Sequence, residues 1–124
     1  MKYEYKNLKK ENCDKIVFIK SGCFYYCYDD DSYIINYIFK YKIIGNKIAF
    51  PVNKLNSVCK KLEDYNIGFV CEDKVFEGSN YDKYLKLSLD NVKKDMLIKE
   101  INFIISKLDY KKLYQIMVVV SKYE

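Results

Sequence analysis

The chain has 124 residues, half of them apolar and 31% charged, which excludes disorder and fits one globular domain able to bury roughly two-thirds of its unfolded surface. All 22 basic residues are lysine, the net charge is +5, and histidine is absent; the commonest general base, every Ser-His or Cys-His dyad and any Cys/His zinc site are therefore missing. No stretch approaches the roughly 20 apolar residues of a membrane span, and Met1-Lys2-Tyr3-Glu4-Tyr5-Lys6 lacks the apolar segment of a signal peptide, so a cytoplasmic location is expected.

In chain order, residues 3–12 are predicted to form a short helix, followed by a strand at 15–19. A second extended segment covers 23–28 and is rich in aromatic residues, as strands prefer. Asp29-Asp30-Asp31-Ser32 reads as a helix start, because acids are favoured at a helix N-terminus. Ile34, Ile35, Ile38 and Tyr41 then recur at helical spacing. Gly45-Asn46 turns into a strand at 47–50 that Pro51 ends. A helix over 53–65 buries Leu55, Val58, Cys59 and Leu62, with Asn66 as its C-cap. Ile67-Gly68-Phe69-Val70-Cys71 is the next strand, and a short one at 74–77 closes the core.

Beyond Gly78-Ser79-Asn80 the pattern changes. Leu85, Leu89, Val92 and Met96, then Leu97, Ile101, Ile104 and Leu108, trace stripes with spacings of four and three. They predict one long helix over 81–108, and Asp109 caps a second over 110–122 that buries Leu113, Ile116, Met117 and Val120. The β-prone run Val118-Val119-Val120 opposes that last assignment. The expected fold is α/β in the α+β sense: a small mixed β-sheet with flanking helices at 1–80, and a C-terminal helical hairpin at 81–124. That hairpin either completes the core or buries its stripe against a partner, a second copy of the chain included.

Candidate chemistry is sparse. Five cysteines, at positions 13, 23, 27, 59 and 71, form no Cys-x-x-Cys pair. Cys23 and Cys27 can share one face of a strand, but two thiolates make no metal cage; free buried thiols, no metal and no cofactor are expected. No phosphate loop or acid/base motif is present, so no catalytic residue and no enzyme are expected. Lysine neutralises phosphate but lacks the bidentate fork that reads guanine. The 14 tyrosines are either base-stacking platforms or, with Lys, Asn and Ile, the mark of an AT-rich genome. Residues 21–80 carry seven lysines against eight acids, so the positive excess lies in the flanks.

The most informative stretch is Ser21-Gly22-Cys23-Phe24-Tyr25-Tyr26. An exposed phenylalanine can wedge between base steps, and where bases are already poorly stacked the wedge costs less. Glycine two residues earlier lets the backbone bend or approach closely. The other reading of Phe24 is an ordinary core residue on a buried strand. The stretch resembles the Gly-x-Phe-Tyr-Glu motif of the mismatch-recognition domain (domain I) of MutS DNA mismatch repair proteins, with Tyr26 where that family has Glu. Ala49-Phe50-Pro51, the following helix and Phe69-Val70-Cys71-Glu72-Asp73 resemble later parts of the same domain, so the likeness covers about residues 13–77. The resemblance implies DNA contacts from Gly22, Phe24, Tyr25 and Tyr26, with Phe24 as the wedge and Tyr25 as its packing partner. It also implies that the missing Glu would have hydrogen-bonded the mispaired base. Two function classes follow from it: a nucleic-acid-binding accessory that recognises mispaired or distorted duplex DNA, or a protein-interaction module that keeps the fold without the DNA site. A phage- or mobile-element-encoded inhibitor of a host nucleoprotein would exemplify the second.

Overall fold

The computed structural model describes residues 2–121. Five strands, β1 (Ile16–Ser21), β2 (Phe24–Tyr28), β3 (Lys47–Pro51), β4 (Phe69–Cys71) and β5 (Lys74–Phe76), form one mixed sheet in the order β3-β2-β1-β4-β5. Only β1 and β4 run parallel; the other neighbours are antiparallel. The helices are α1 (Lys2–Glu11), α2 (Asp29–Phe39), α3 (Leu55–Asp64), α4 (Tyr81–Ser106) and α5 (Tyr110–Ser121). This is the expected α+β fold with a C-terminal helical extension.

β1 explains the layering. Ile16, Val17, Phe18 and Ile19 are all buried, as a central strand covered on both faces requires. Ile16 and Phe18 share the larger cluster with Tyr25, Cys27, Ile48, Phe50 and Phe69, covered by Ile34 and Ile35 of α2, Val58 and Leu62 of α3 and Tyr81 of α4. Val17 and Ile19 face the other way, against Tyr28 and against Tyr5 and Leu8 of α1.

The element boundaries differ from the sequence pattern where the backbone turns left-handed. Lys40 has φ 62° and donates its amide to Asn36 O at 2.9 Å, so α2 stops at Phe39 and Tyr41 lies beyond it, stacked on Phe50 at 6.2 Å. Residues 52–54 form a 3₁₀ turn, and α3 begins only at Leu55. Asn66 (φ 57°) closes α3 in a Schellman arrangement, with Asn66 N donating to Glu63 O and Ile67 N to Leu62 O. That leaves Ile67 and Gly68 outside the shortened β4. A Cβ at Gly68 would sit 3.1 Å from the backbone of both Phe76 and Gly78, tighter than ordinary van der Waals contact. Of the expected buried thiols, Cys27, Cys59 and Cys71 are buried and free, whereas Cys13 and Cys23 are exposed. Cys23 lies in a turn before β2, so it shares no strand face with Cys27.

The chain divides into two compact units, the first ending at Leu89 and the second beginning at Asp90. In the first, Tyr84 and Leu85 of α4 pack on the core. In the second, α4 ends at Ser106, two residues short of the expected 108. Asp109 caps α5, accepting the Lys112 amide at 2.9 Å; the expected last residue, Lys122, lies outside the described residues. Val118-Val119-Val120 is helical despite its β propensity. No described residue of α5 is buried.

One polar cluster ties the first unit together. The fully buried Asp31 carboxylate accepts hydrogen bonds from the Tyr5 hydroxyl, from Lys9 Nζ at 2.7 Å, from the Tyr81 hydroxyl at 2.7 Å and from the Val17 amide at 3.1 Å. Burial, then the Asp31 charge, pushes both tyrosine hydroxyls well above their ordinary 10.0. Burial also raises the Cys71 thiol to about 11. Groups whose pKa is raised by folding contribute stability that is complete below the unfolded value and lost as pH rises through the folded one. Unfolding free energy measured in urea is therefore expected to be flat through neutral pH and to fall above about pH 9, where unfolded cysteines and then tyrosines begin to ionise. Tyr81→Phe should make that alkaline fall shallower. Asp31→Ala, which leaves the Lys9 ammonium without its buried partner, should destabilise by about 3–5 kcal/mol.

Candidate nucleic-acid interface

The turn between β1 and β2 has two residues, Gly22 and Cys23, closed by the Ser21–Phe24 pair. Gly22 has φ +63° while Cys23 is not left-handed, the pattern of a type II′ hairpin turn with glycine first. A Cβ on Gly22 would meet nothing within 4 Å, so the backbone angle, not space, requires glycine. The turn is braced from β3, whose following residue Val52 donates its amide to Cys23 O at 3.0 Å.

Strand alternation then sorts the three aromatic residues. Phe24 opens β2 opposite Pro51, on the face away from the large core, with 42% of its surface exposed. It is therefore no core residue. Tyr26 lies on the same face, half-buried, between Ile19 and Ala49, its ring 6.5 Å from that of Phe24. Lys47 Nζ stands 5.4 Å over the Tyr26 ring. Tyr25 points the opposite way. It is buried, stacks on Phe50 at 5.9 Å, and donates its hydroxyl to Glu72 Oε1 at 3.1 Å. Burial, then Cys71 and Glu72 beside it, holds that hydroxyl protonated well above its usual range.

Of the four residues singled out in the sequence, Gly22 builds the turn, Phe24 and Tyr26 come together on the face opposite the large core, Phe24 exposed and Tyr26 half-buried, and Tyr25 anchors them from beneath. The pattern did not reveal Lys47, Pro51 or Glu72 as neighbours, because cross-strand register was needed to place them. A surface pocket of about 370 Å³ lies against β1, lined by Glu4, Leu8, Phe18, Ile19, Lys20, Glu72 and Asp73. Its three carboxylates against one lysine disfavour phosphate there. Among the described residues no group of three or more His, Cys, Asp or Glu could hold a metal ion, and no helix is long and apolar enough to cross a membrane. An exposed apolar ring on a braced strand start, beside a second ring and a lysine, suits contact with the faces of bases more than hydrogen-bonded readout of their edges.

A family model for MutS domain I matches residues 1–72. The match runs from α1 through β4, so it takes in the first helix, which the motif resemblance had left out. No curated protein and no solved structure matches the chain. Gly22→Ala, which forces an L side chain into the left-handed region, should lower stability by about 1–2 kcal/mol in urea unfolding, and Gly22→Asn by less, since asparagine tolerates that region better.

Proposed function

Since the chain belongs to the MutS domain I family, we propose that it is a non-enzymatic nucleic-acid-binding accessory that engages mispaired or otherwise distorted duplex DNA by inserting Phe24. The observation that carries this reading is the exposure of Phe24 at the first position of β2, on a turn held by Gly22 and braced by Val52 and Tyr25. Unstacking a base step takes a few kcal/mol in an intact duplex and less at a mispair, so a rigidly presented ring discriminates by deformability. Tyr26 stands where the family has Glu, so the carboxylate acceptor for the mispaired base is missing. Discrimination then rests on the wedge and on stacking, with the Lys47 ammonium 5.4 Å over the Tyr26 ring.

A second reading is a protein-interaction module that keeps the fold without DNA recognition. Tyr26 in place of Glu favours it, as does the slight acidic excess over residues 21–80. The two readings separate in a binding titration. On the first, the protein binds a mismatched or bulged duplex more tightly than its perfect counterpart, weakly and with steep salt dependence from lysine–phosphate contacts. Phe24→Ala should remove the preference and leave the salt slope nearly unchanged. Equal affinity of the unaltered protein for both duplexes would favour the second reading.

A further inference from the structure

From the second compact unit, we infer that the α4 segment after Asp90 pairs antiparallel with the same segment of a second copy, about a two-fold axis that passes between the two helices level with Met96 and Leu97. The unit leaves its apolar side chains open to solvent: Met96 is 64% exposed, Leu97 58%, Ile101 54% and Ile104 56%. Lys93, Met96, Leu97 and Glu100 line one shallow apolar groove.

The choice of a second copy as the occupant comes from charge complementarity along that groove. A two-fold contact sets the same surface against itself, so residues that are equidistant from the axis and share one helix face meet across it. About the point between Met96 and Leu97, Lys93 and Glu100 lie seven residues apart and so on nearly the same helix face, where each meets the other across the axis, while Met96 and Leu97 flank the axis and pack near their own copies. Apolar faces apolar, and each lysine faces a glutamate. Lys94 and Lys99 are also equidistant, but each sits roughly 100° or more around the helix from Lys93 and stays off the seam. A parallel pairing would set Lys93 on Lys93 and Glu100 on Glu100. An unrelated partner would need no such palindrome.

Sedimentation of the full chain over a hundredfold concentration range tests this independently of any DNA binding. The unaltered protein should be a reversible dimer. Lys93→Glu and Glu100→Lys each replace two symmetric attractions with two repulsions, so each should weaken the dimer by about tenfold. The double exchange Lys93→Glu/Glu100→Lys should restore it to within about threefold, and Leu97→Asp should give a monomer that circular dichroism shows still folded. A monomer throughout, as expected if an unrelated protein covers the groove, would overturn the proposal. So would a dimer insensitive to the single exchanges, or a double exchange no better than either single one.

Discussion

The buried carboxylate of Asp31 holds together elements that the sheet alone does not connect. It accepts from Tyr5 and Lys9 of α1, from the Val17 amide of β1 and from Tyr81 of α4, while itself belonging to the first turn of α2. A carboxylate removed from water costs several kcal/mol unless its partners are all in place, so the four elements must assemble together. The site also settles a backbone requirement. Paired residues of β1 and β2 begin at Ile19 and Tyr26, and the Val17 amide, beyond that pairing, finds its acceptor in Asp31. The helix positive end adds to the stabilisation of this charge. Lys9 completes the cluster by donating also to the Lys15 carbonyl and standing 4.4 Å over the Tyr81 ring.

This hub fixes where β2 ends and α2 begins, and the opposite end of β2 is the candidate interface. The strand is anchored at one end by Tyr28, whose ring packs edge-on against Tyr5 at 4.9 Å, and at the other by Tyr25 between Phe50 and Glu72. The proposed insertion of Phe24 requires that its strand does not yield, because any recoil reduces the strain placed on the duplex. Phe24 is thus presented by a strand held from both helical layers and from the β4–β5 turn.

The two compact units differ in how they satisfy their apolar residues. The first buries them on both faces of a sheet and leaves Phe24 as a local exception. The second exposes apolar side chains along both helices, with no described residue of α5 buried. An exposed ring at a braced turn and an exposed stripe along a helix suit different partners: a single base step in the first case, an extended helical surface in the second. The neutral to slightly acidic residues 21–80 and the lysine-rich flanks show a chain in which positive charge is not concentrated around Phe24.

Much of the fold was legible in the sequence because it rests on local periodicity. The apolar run at 16–19, the aromatic run of β2, the stripe of α3 and the turn glycine at 22 each specify their element through short-range sterics and burial, and the motif order pointed to the family. Asp31 was legible only as one of three acids at a helix start; its burial depends on Tyr5, Lys9 and Tyr81, which lie up to 50 residues away and come together only when four elements pack. Left-handed Lys40 carries no sequence mark, so the helical spacing continues to Tyr41 although α2 itself ends at Phe39. The face taken by each of Phe24, Tyr25 and Tyr26, and the neighbours Lys47, Pro51 and Glu72, were decided by strand register, which is set by which surface the whole sheet buries. Sequence periodicity determined that these segments are strands and helices; tertiary packing decided which aromatic ring meets solvent, because exposure is a property of what lies opposite and not of the residue itself.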